Sequence, residues 1–576
     1  MHNFFPLLQW LPNYKKKDLP GDLLAGFTVA IVLIPQGMAY AMIVGVPPVY
    51  GLYASLIPIL LYALLGTSRQ LAVGPVAMDS LLVAAGLSVV SISGVQNYMA
   101  MVILLAFLVG VIQLLLGLLR MGFLVNFLSK PVISGFTSAA ALIIIFSQLK
   151  HLLGFDIEGN NKFHVLIYNA FQQLPETNPF DFGMGVLGIA LILGLKKLNK
   201  KIPAILIVVV LGIITAYFFQ LDARGLNLVG SIPKGLPSLQ VPRIGLEEIE
   251  ALWPMALTLS LIGYMEAISI ARGIEEKNNE DNIDANQELV ALGTSNIAGS
   301  FFQSFPISAS FSRSAINNEM GARTNLSGLF TAILVLLTLL FLTPLFYYLP
   351  NTILASIIMV SVLGLIDWEY ARSLLHYRKD EFVVLLLTFL ITLFIGITTG
   401  ILIGVLISLL LLVYRTSKPH FAVLGNIRDT DYYKNVDRFQ GEVVIRDDLL
   451  VVRFDAQLYF GNANYFKNTL FRLIDEKGDA LRGVILNAEA INYIDSSAAQ
   501  MLTQVIKNIH DRNLKFYIAG AIGPTRDIIF SSGIIWELDR EFLFVKIGEA
   551  VRYFDDPGVI SIMGSKVAYQ NRGKPT

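Results

Sequence analysis

Residues 305–319 read FPISASFSRSAINNE, with serines at 308, 310, 312 and 314 and a lone arginine, Arg313, among them. The flanks are strongly apolar, SNIAGSFF before and LSGLFTAILVLLTLLFL after. A guanidinium at membrane depth is costly, and an intramembrane charge is a functional site by default. Hydroxyl donors beside a planar cationic fork suit an oxyanion such as carboxylate, carbonate or sulfate. The plainer uses of Arg313 are a structural ion pair or snorkelling to the membrane edge; the functional reading is the one favoured. The second charge singled out is Glu266, in WPMALTLSLIGYMEAISIARG (253–273). Gly263, Glu266, Ser269 and Gly273 share one helix face. Such a stripe of small and polar residues suits a wall turned into protein or a cavity. A carboxyl that takes a proton when isolated and gives it up beside Arg313 would serve proton coupling. The bland alternative is a static Glu266–Arg313 pair.

Both charges need a membrane scaffold, and the composition supplies one. The 576 residues are 55% hydrophobic and 15% charged, with a mean hydropathy of +0.63, whereas soluble domains carry about 25% charged residues. Runs such as AMVILLAFLVGVIQLLLGLL (100–119) have the ~20 residues a bilayer core demands, and they must be helical because lipid offers backbone groups no partner. About fourteen apolar segments lie between Asp22 and Val413. Counted from a cytoplasmic Lys15–Lys17 cluster, the even-numbered loops carry Arg69, Arg120, Lys196, Lys197, Lys200, Lys201, Arg272, Arg323, Arg378, Lys379, Arg415 and Lys418. This basic bias predicts that both termini are cytoplasmic. The first residues lack the apolar run of a cleavable signal peptide.

Cysteine is absent, which removes disulfides and thiol chemistry. The six histidines are scattered, with no metal-ligand spacing and no nucleophile–base pair. No Walker-type phosphate loop is present. An enzyme, a resident metal, a cofactor, a nucleic-acid partner and direct ATP drive are therefore not expected.

Hydropathy falls near Tyr414. The expected organisation is a cytoplasmic segment 1–20, a transmembrane domain 21–416, a linker 417–440, a soluble α/β domain 441–556 and a flexible tail 557–576. Within the soluble domain LLVVRF (449–454), GVILNA (483–488) and KFYIAG (515–520) read as strands alternating with amphipathic helices, which predicts a mixed or parallel sheet. The transmembrane domain contains a pair of broken segments, QLAVGPVAMDSLLVAAGL (70–87) with Gly74-Pro75 and the opening stretch with Pro306. They lie 231 positions apart (306 − 75), and Gln36 falls 230 before Glu266 (266 − 36). Matching interrupted spans point to an inverted repeat. Each break is expected to start a half-helix, with Pro306 near its first turn and Ser308, Ser310 and Ser312 as cap candidates. Two such N-termini, with their free N–H groups and partial positive charge, would make a midplane anion site.

These segments carry a family resemblance. DLPGDLLAGFTVAIVLIPQGMAYA (18–41), PPVYGLYASLIPILLYALLGTSRQLAVGPVAMDSLL (47–82) and SFPISASFSRSAINNEMGARTNLSG (304–328) are similar to signature segments of the SulP sulfate-permease family. The tail resembles a STAS domain. The resemblance implies a polytopic α-helical membrane protein of fourteen spans in two inverted seven-span repeats. As in the uracil permease, a core domain would move against a gate domain in an elevator-like motion, usually in a homodimer. It also implies an anion site between spans 3 and 10: Gln36 and Tyr40 facing the anion, backbone amides at Val76 and Ala77, and Ser310, Ser312 and Arg313 opposite. Glu266 matches the eighth-span carboxylate of the proton-coupled plant members. INYIDSSAAQML resembles the STAS DSSG loop, whose phosphorylated serine matches Ser496, with Ala498 in place of the glycine. Read from the residues alone, Asp495 and Ser496 are helix N-caps, and that reading ranks first. The implied activity is anion uptake through a bacterial plasma membrane, sulfate foremost, with protons as the coupling ion. Sodium-coupled bicarbonate or C4-dicarboxylate transport, or an uncoupled channel or exchanger, are the alternatives.

Overall fold

The structure is a computed structural model of the chain. It describes residues 6–88, 94–123, 129–155, 163–198, 203–242, 245–278, 283–428, 430–538 and 542–558. Lys200 and Lys201 of the basic loops lie outside the described residues, as do residues 1–5 and 559–576 of the expected flexible ends. The chain divides into two units, Met1–Ser408 and Leu409–Thr576.

Among the described residues, eight helices of the first unit and its border are long and apolar enough to cross a membrane. The remaining apolar segments fold as shorter or interrupted helices. The helices that frame the site are α1 (Leu19–Val44), α2 (Ala77–Leu87), α3 (Val95–Leu118), α4 (Lys130–Ser147), α5 (Leu246–Asn278), α6 (Ala285–Phe301), α7 (Phe311–Glu319), α8 (Leu326–Leu337) and α9 (Asn351–Leu363). Helix α1 is apolar on nearly all sides and is mostly buried, as expected of a span surrounded by others. Helices α3 and α6 approach through glycines: a Cβ on Gly293 would lie 2.5 Å from Leu114 N, and one on Gly110 would lie 2.6 Å from Ile297 N. In a bilayer such close packing, rather than hydrophobic exclusion, holds helices together.

Two strands of two residues each interrupt the helices. β1 (Val73–Gly74) pairs antiparallel with β2 (Ser308–Ala309), Val73 opposite Ala309 and Gly74 opposite Ser308. Gly74 has φ of 145°, a value L side chains rarely adopt, and Pro75 follows with no N–H to donate. The helix therefore cannot run through 73–75. Helix α7 begins only after Ser310, so Pro306 stands before β2, not in the helix's first turn. The sequence alignment of Pro75 with Pro306 thus does not equate helix starts; the N-caps Val76 and Ser310 do.

The second unit holds a seven-stranded sheet ordered β4-β3-β6-β7-β8-β9, with β5 also on β3. Strands β3 (Phe421–Ile427), β4 (Tyr433–Asn435) and β5 (Val443–Val444) are antiparallel additions, while β6 (Leu449–Phe454), β7 (Gly483–Asn487), β8 (Lys515–Ala519) and β9 (Leu543–Phe544) run parallel. Three of the parallel strands, β6, β7 and β8, fall where the sequence placed them, and β9 was not singled out. Residues 417–440, read as a linker, instead contribute β3 and β4. Their polar loop residues masked a strand whose inward side chains Ala422 and Leu424 are buried. Alternate residues of β6 face opposite cores: Leu450, Val452 and Phe454 one way, Leu449 and Val451 the other. Both faces are covered, by α10 (Ala463–Lys477) and α11 (Ser496–Asp511) on one side and α12 (Ile547–Asp555) on the other, as a parallel sheet requires.

Candidate anion-binding site

The β1–β2 ladder fixes the site. Ser310 N donates to Ala72 O (3.0 Å) and the Ser314 hydroxyl accepts from Ala72 N (2.8 Å). Because the strands are antiparallel, α2 and α7 leave the ladder in opposite directions, and both N-termini flank it. The unwound stretch before β2 is satisfied by Asn296 of α6, whose Oδ1 accepts from Ile307 N (2.9 Å) and whose Nδ2 donates to Ile307 O (3.1 Å). The same amide group donates to Gln113 on α3 (3.1 Å). This network was not singled out in the sequence, where Asn296 and Gln113 are isolated polar residues in apolar helices.

The two helix starts differ. Ser310 caps α7, its hydroxyl accepting from Arg313 N at 3.4 Å. Val76 caps α2 with no side-chain hydrogen bond, so the first N–H groups there lack a capping acceptor. Val76 is half-buried and Ala77 buried.

Arg313 is fully buried. Its guanidinium donates to Pro75 O (2.8 Å) and to Gln36 Oε1 (3.4 Å), and Nε has no hydrogen-bond partner among the described residues. All its acceptors are neutral. The expected Glu266 compensation is not made: Arg313 has no carboxylate at ion-pair distance among the described residues, and Glu266 is instead close enough to Asp79 for their charges to interact. The reason is spatial. Arg313 points across the ladder towards Pro75 and α1, whereas Glu266 lies three residues beyond Gly263, the α5 carbonyl that accepts the Ser308 hydroxyl (2.8 Å).

Gln36 and Tyr40 are one turn apart on α1, both buried and both beside Arg313. Gln36 Nε2 also donates to the Ser361 hydroxyl of α9 at 3.5 Å, and Tyr40 lies beside the same serine. Ser361 was missed in the sequence, where it is one of several serines in apolar runs. Ser308 turns its hydroxyl to Gly263, away from the role of a free donor. Ser312 is exposed, next to the exposed Phe311. Of the expected polar stripe on α5, Gly263 is buried and Glu266 half-buried, but Ser269 and Gly273 are exposed. The stripe thus faces protein only in its N-terminal half. In the second unit Asp495 is the N-cap of α11, accepting from Ala498 N (2.8 Å), and Ser496 is an exposed first-turn residue.

Gln36, Tyr40, Pro75, Ser310 and Arg313 thus converge at two helix N-termini. A guanidinium on the first turn of α7 adds its charge to the positive end of that helix dipole, an arrangement unfavourable until an anion arrives. Chemically, the cluster can receive a compact oxyanion; it holds no nucleophile set against a base.

Comparison with known proteins agrees with this fold. The model of the Sulfate permease family matches residues 19–388, and that of the STAS domain matches residues 440–550. The chain is 37% identical to Sulfate transporter 4.1, chloroplastic, of Arabidopsis thaliana, over 95% of this chain and 82% of that protein. It is 34% identical to Sulfate transporter 3.2 of the same plant, over 96% and 89% of the two chains. Among solved structures, the murine Solute Carrier 26 family member A9 anion transporter in its inward-facing state superposes with a TM-score of 0.87 at 26% identity, covering 96% of this chain and 94% of that one. A polytopic helical membrane protein with a C-terminal STAS domain, this chain belongs to the sulfate permease family.

Proposed function

We propose that the protein is a secondary active transporter that takes up sulfate with protons. The observation that carries this reading is the buried Arg313, held by neutral acceptors at the N-termini of two facing half-helices and lacking a carboxylate partner among the described residues. An oxyanion at that point would be met by the fork of Arg313, the uncapped N–H groups at Val76 and Ala77, and the polar ends of Gln36 and Tyr40. Ser310, Ser312 and Ser308 are proposed to add hydroxyls, although Ser312 is exposed and Ser308 is bonded to Gly263 O in this structure. Family membership and relatives named as sulfate transporters support an inorganic anion as cargo.

Coupling follows from energetics. A negative-inside potential opposes anion entry by about 2.3 kcal/mol per charge per 100 mV, so accumulating a divalent anion requires co-transported cations. Glu266, a carboxyl within a spanning helix, is the proposed proton carrier. The antiparallel pairing of β1 with β2, each leading into a half-helix, supports an inverted repeat; a core that carries the site past a gate domain in a homodimer rests on the family resemblance, and the cytoplasmic termini rest on the basic bias of the loops. Ser496, exposed at the start of α11, is the one position proposed for regulatory phosphorylation.

The deciding experiment is radiolabelled sulfate uptake into proteoliposomes with and without an inward proton gradient, for the native protein and Glu266→Gln. Gradient-driven accumulation that disappears in the variant is expected. Sulfate uptake indifferent to the gradient, or driven by sodium, would overturn proton coupling; no sulfate uptake at all would move the cargo to bicarbonate or a dicarboxylate.

A further inference from the structure

Asp79 is a carboxylate that neither the resemblance nor the sequence reading assigned. It lies in the first turn of α2, three residues after the N-cap Val76, and is 2% exposed. An acidic residue there commonly serves the helix dipole or caps the helix start. Asp79 makes no capping bond, and its Oδ1 has no hydrogen-bond partner among the described residues. Its Oδ2 lies 3.8 Å from where a Cβ on Gly263 would stand, and Ser308 lies 3.2 Å from the same point. Glu266 follows Gly263 by three residues on the same face of α5. Its Oε2 likewise has no hydrogen-bond partner among the described residues, and it lies within electrostatic range of Asp79. Two carboxyl groups thus lie near one another where α2 and α5 pack, behind the β1–β2 ladder.

Among the described residues, no nearby group neutralises them. Arg313 on α7 is turned to Pro75 and Gln36. Tyr264 on α5 gives its hydroxyl to Gly122 O, Tyr98 on α3 to Val44 O, and Lys130 on α4 lies over the Tyr370 ring. Glu288 on α6 is satisfied by Tyr62, Thr67 and Ser68, and Tyr40 on α1 faces Arg313 and Ser361. Two adjacent carboxylates without a cation cannot both stay ionised in a buried site.

We infer that Asp79 and Glu266 form one proton-binding pair, Asp79 being the second half of the coupling site. This rests on the proton-coupled reading above and deepens it. The position of Asp79 makes the linkage direct. Ionised, it would cancel the positive end of α2 and repel an anion at Val76 and Ala77. Protonated, it leaves that end free to receive the anion. Proton and anion therefore favour one another's binding, and by linkage the effect is reciprocal. The pair titrates as a unit, not as two independent acids.

The test is sulfate exchange in proteoliposomes at equal pH on both sides, for the full chain, Asp79→Asn and Asp79→Glu. Removing the like charge makes Glu266 the stronger acid, so Asp79→Asn is expected to move the midpoint of the pH profile down by about one unit or more, while Asp79→Glu keeps a two-carboxyl profile. An unchanged midpoint in Asp79→Asn overturns the pairing. A second readout needs no transport: infrared difference spectra of the protonated-carboxyl stretch across a pH titration. The same band is expected to change in Asp79→Asn and in Glu266→Gln, or in Asp79→Glu if the asparagine variant does not fold. A band sensitive to position 266 but not to 79 overturns the pair even if Glu266 couples transport. A band that changes in both variants while sulfate–proton symport fails leaves the pair standing without that cargo. Loss of the band on adding sodium at constant pH overturns it in favour of a metal-ion site.

Discussion

At the residue scale, the site turns on geometry that charge alone does not supply. Arg313 divides its guanidinium between Pro75 O and Gln36 Oε1, so it links the two half-helices, while Nε has no hydrogen-bond partner among the described residues. A lysine keeps the charge but has no fork to span two acceptors. Arg313→Lys is therefore expected to weaken sulfate affinity at least tenfold, about 1.4 kcal/mol, and Arg313→Ala to abolish specific uptake while the protein still inserts and purifies. Titration of uptake against sulfate concentration checks both; unchanged affinity in either variant removes Arg313 from the site.

At the element scale, the fold places two helix starts beside one another by breaking both helices with strand. Gly74 sits at positive φ with Arg313 Nη2 3.5 Å from where its Cβ would be. Gly74→Ala must strain the backbone by about 1–3 kcal/mol, and is expected to lower both thermal stability and sulfate affinity. Ser310→Ala removes the α7 cap, a loss of about 1 kcal/mol and at the low end because the bond is long, whereas Ser310→Gly is expected to cost only a few tenths. Thermal unfolding of the detergent-solubilised chain with and without sulfate ranks the three; an alanine variant as stable as the native chain would show that the cap is not made.

At the scale of the whole molecule, the second unit carries its own electrostatic ties. Arg446 donates to both oxygens of Asp448 (2.9 and 2.8 Å) and to Asp555 at the end of α12 (2.9 Å). The Arg446 hydrogen bonds hold the Asp448 carboxyl below its ordinary value. Burial pushes Asp455 upward, but bonds from Arg453 and His420 outweigh it, leaving this carboxyl depressed too. Depressed carboxylates stabilise the fold above their ordinary value of about pH 4, and that stabilisation is lost as pH falls through the lower folded value. Arg446→Ala is expected to destabilise α12 at neutral pH by about 1 kcal/mol, a modest figure because the partners are more than one-third exposed. The difference from the native chain should vanish in strong acid. Hydrogen exchange of residues 547–555, compared between the two chains at each pH, measures this; a difference that persists in acid would contradict it.

The amino-acid sequence by itself determined the helical membrane class, the parallel strands of the tail and the two interrupted spans. Each of these rests on local physics: apolar length against bilayer thickness, period-two patterning, and the backbone limits of glycine and proline. It also supplied Arg313, Gln36 and Tyr40, since a cation in an apolar run announces itself and the neighbouring motif carried the rest. Asp79 announces itself equally, as a carboxylate within AMDSLLVAAGL, but its role depends on a neighbour 187 positions away (266 − 79). Which carboxyl faces which cation was decided only in the tertiary structure. The β1–β2 register sets Arg313 towards Pro75 and α1, and the packing of α2 on α5 gives Glu266 to Asp79 instead. Local sequence has no access to such choices, because the energy of a buried charge is set by what is packed around it.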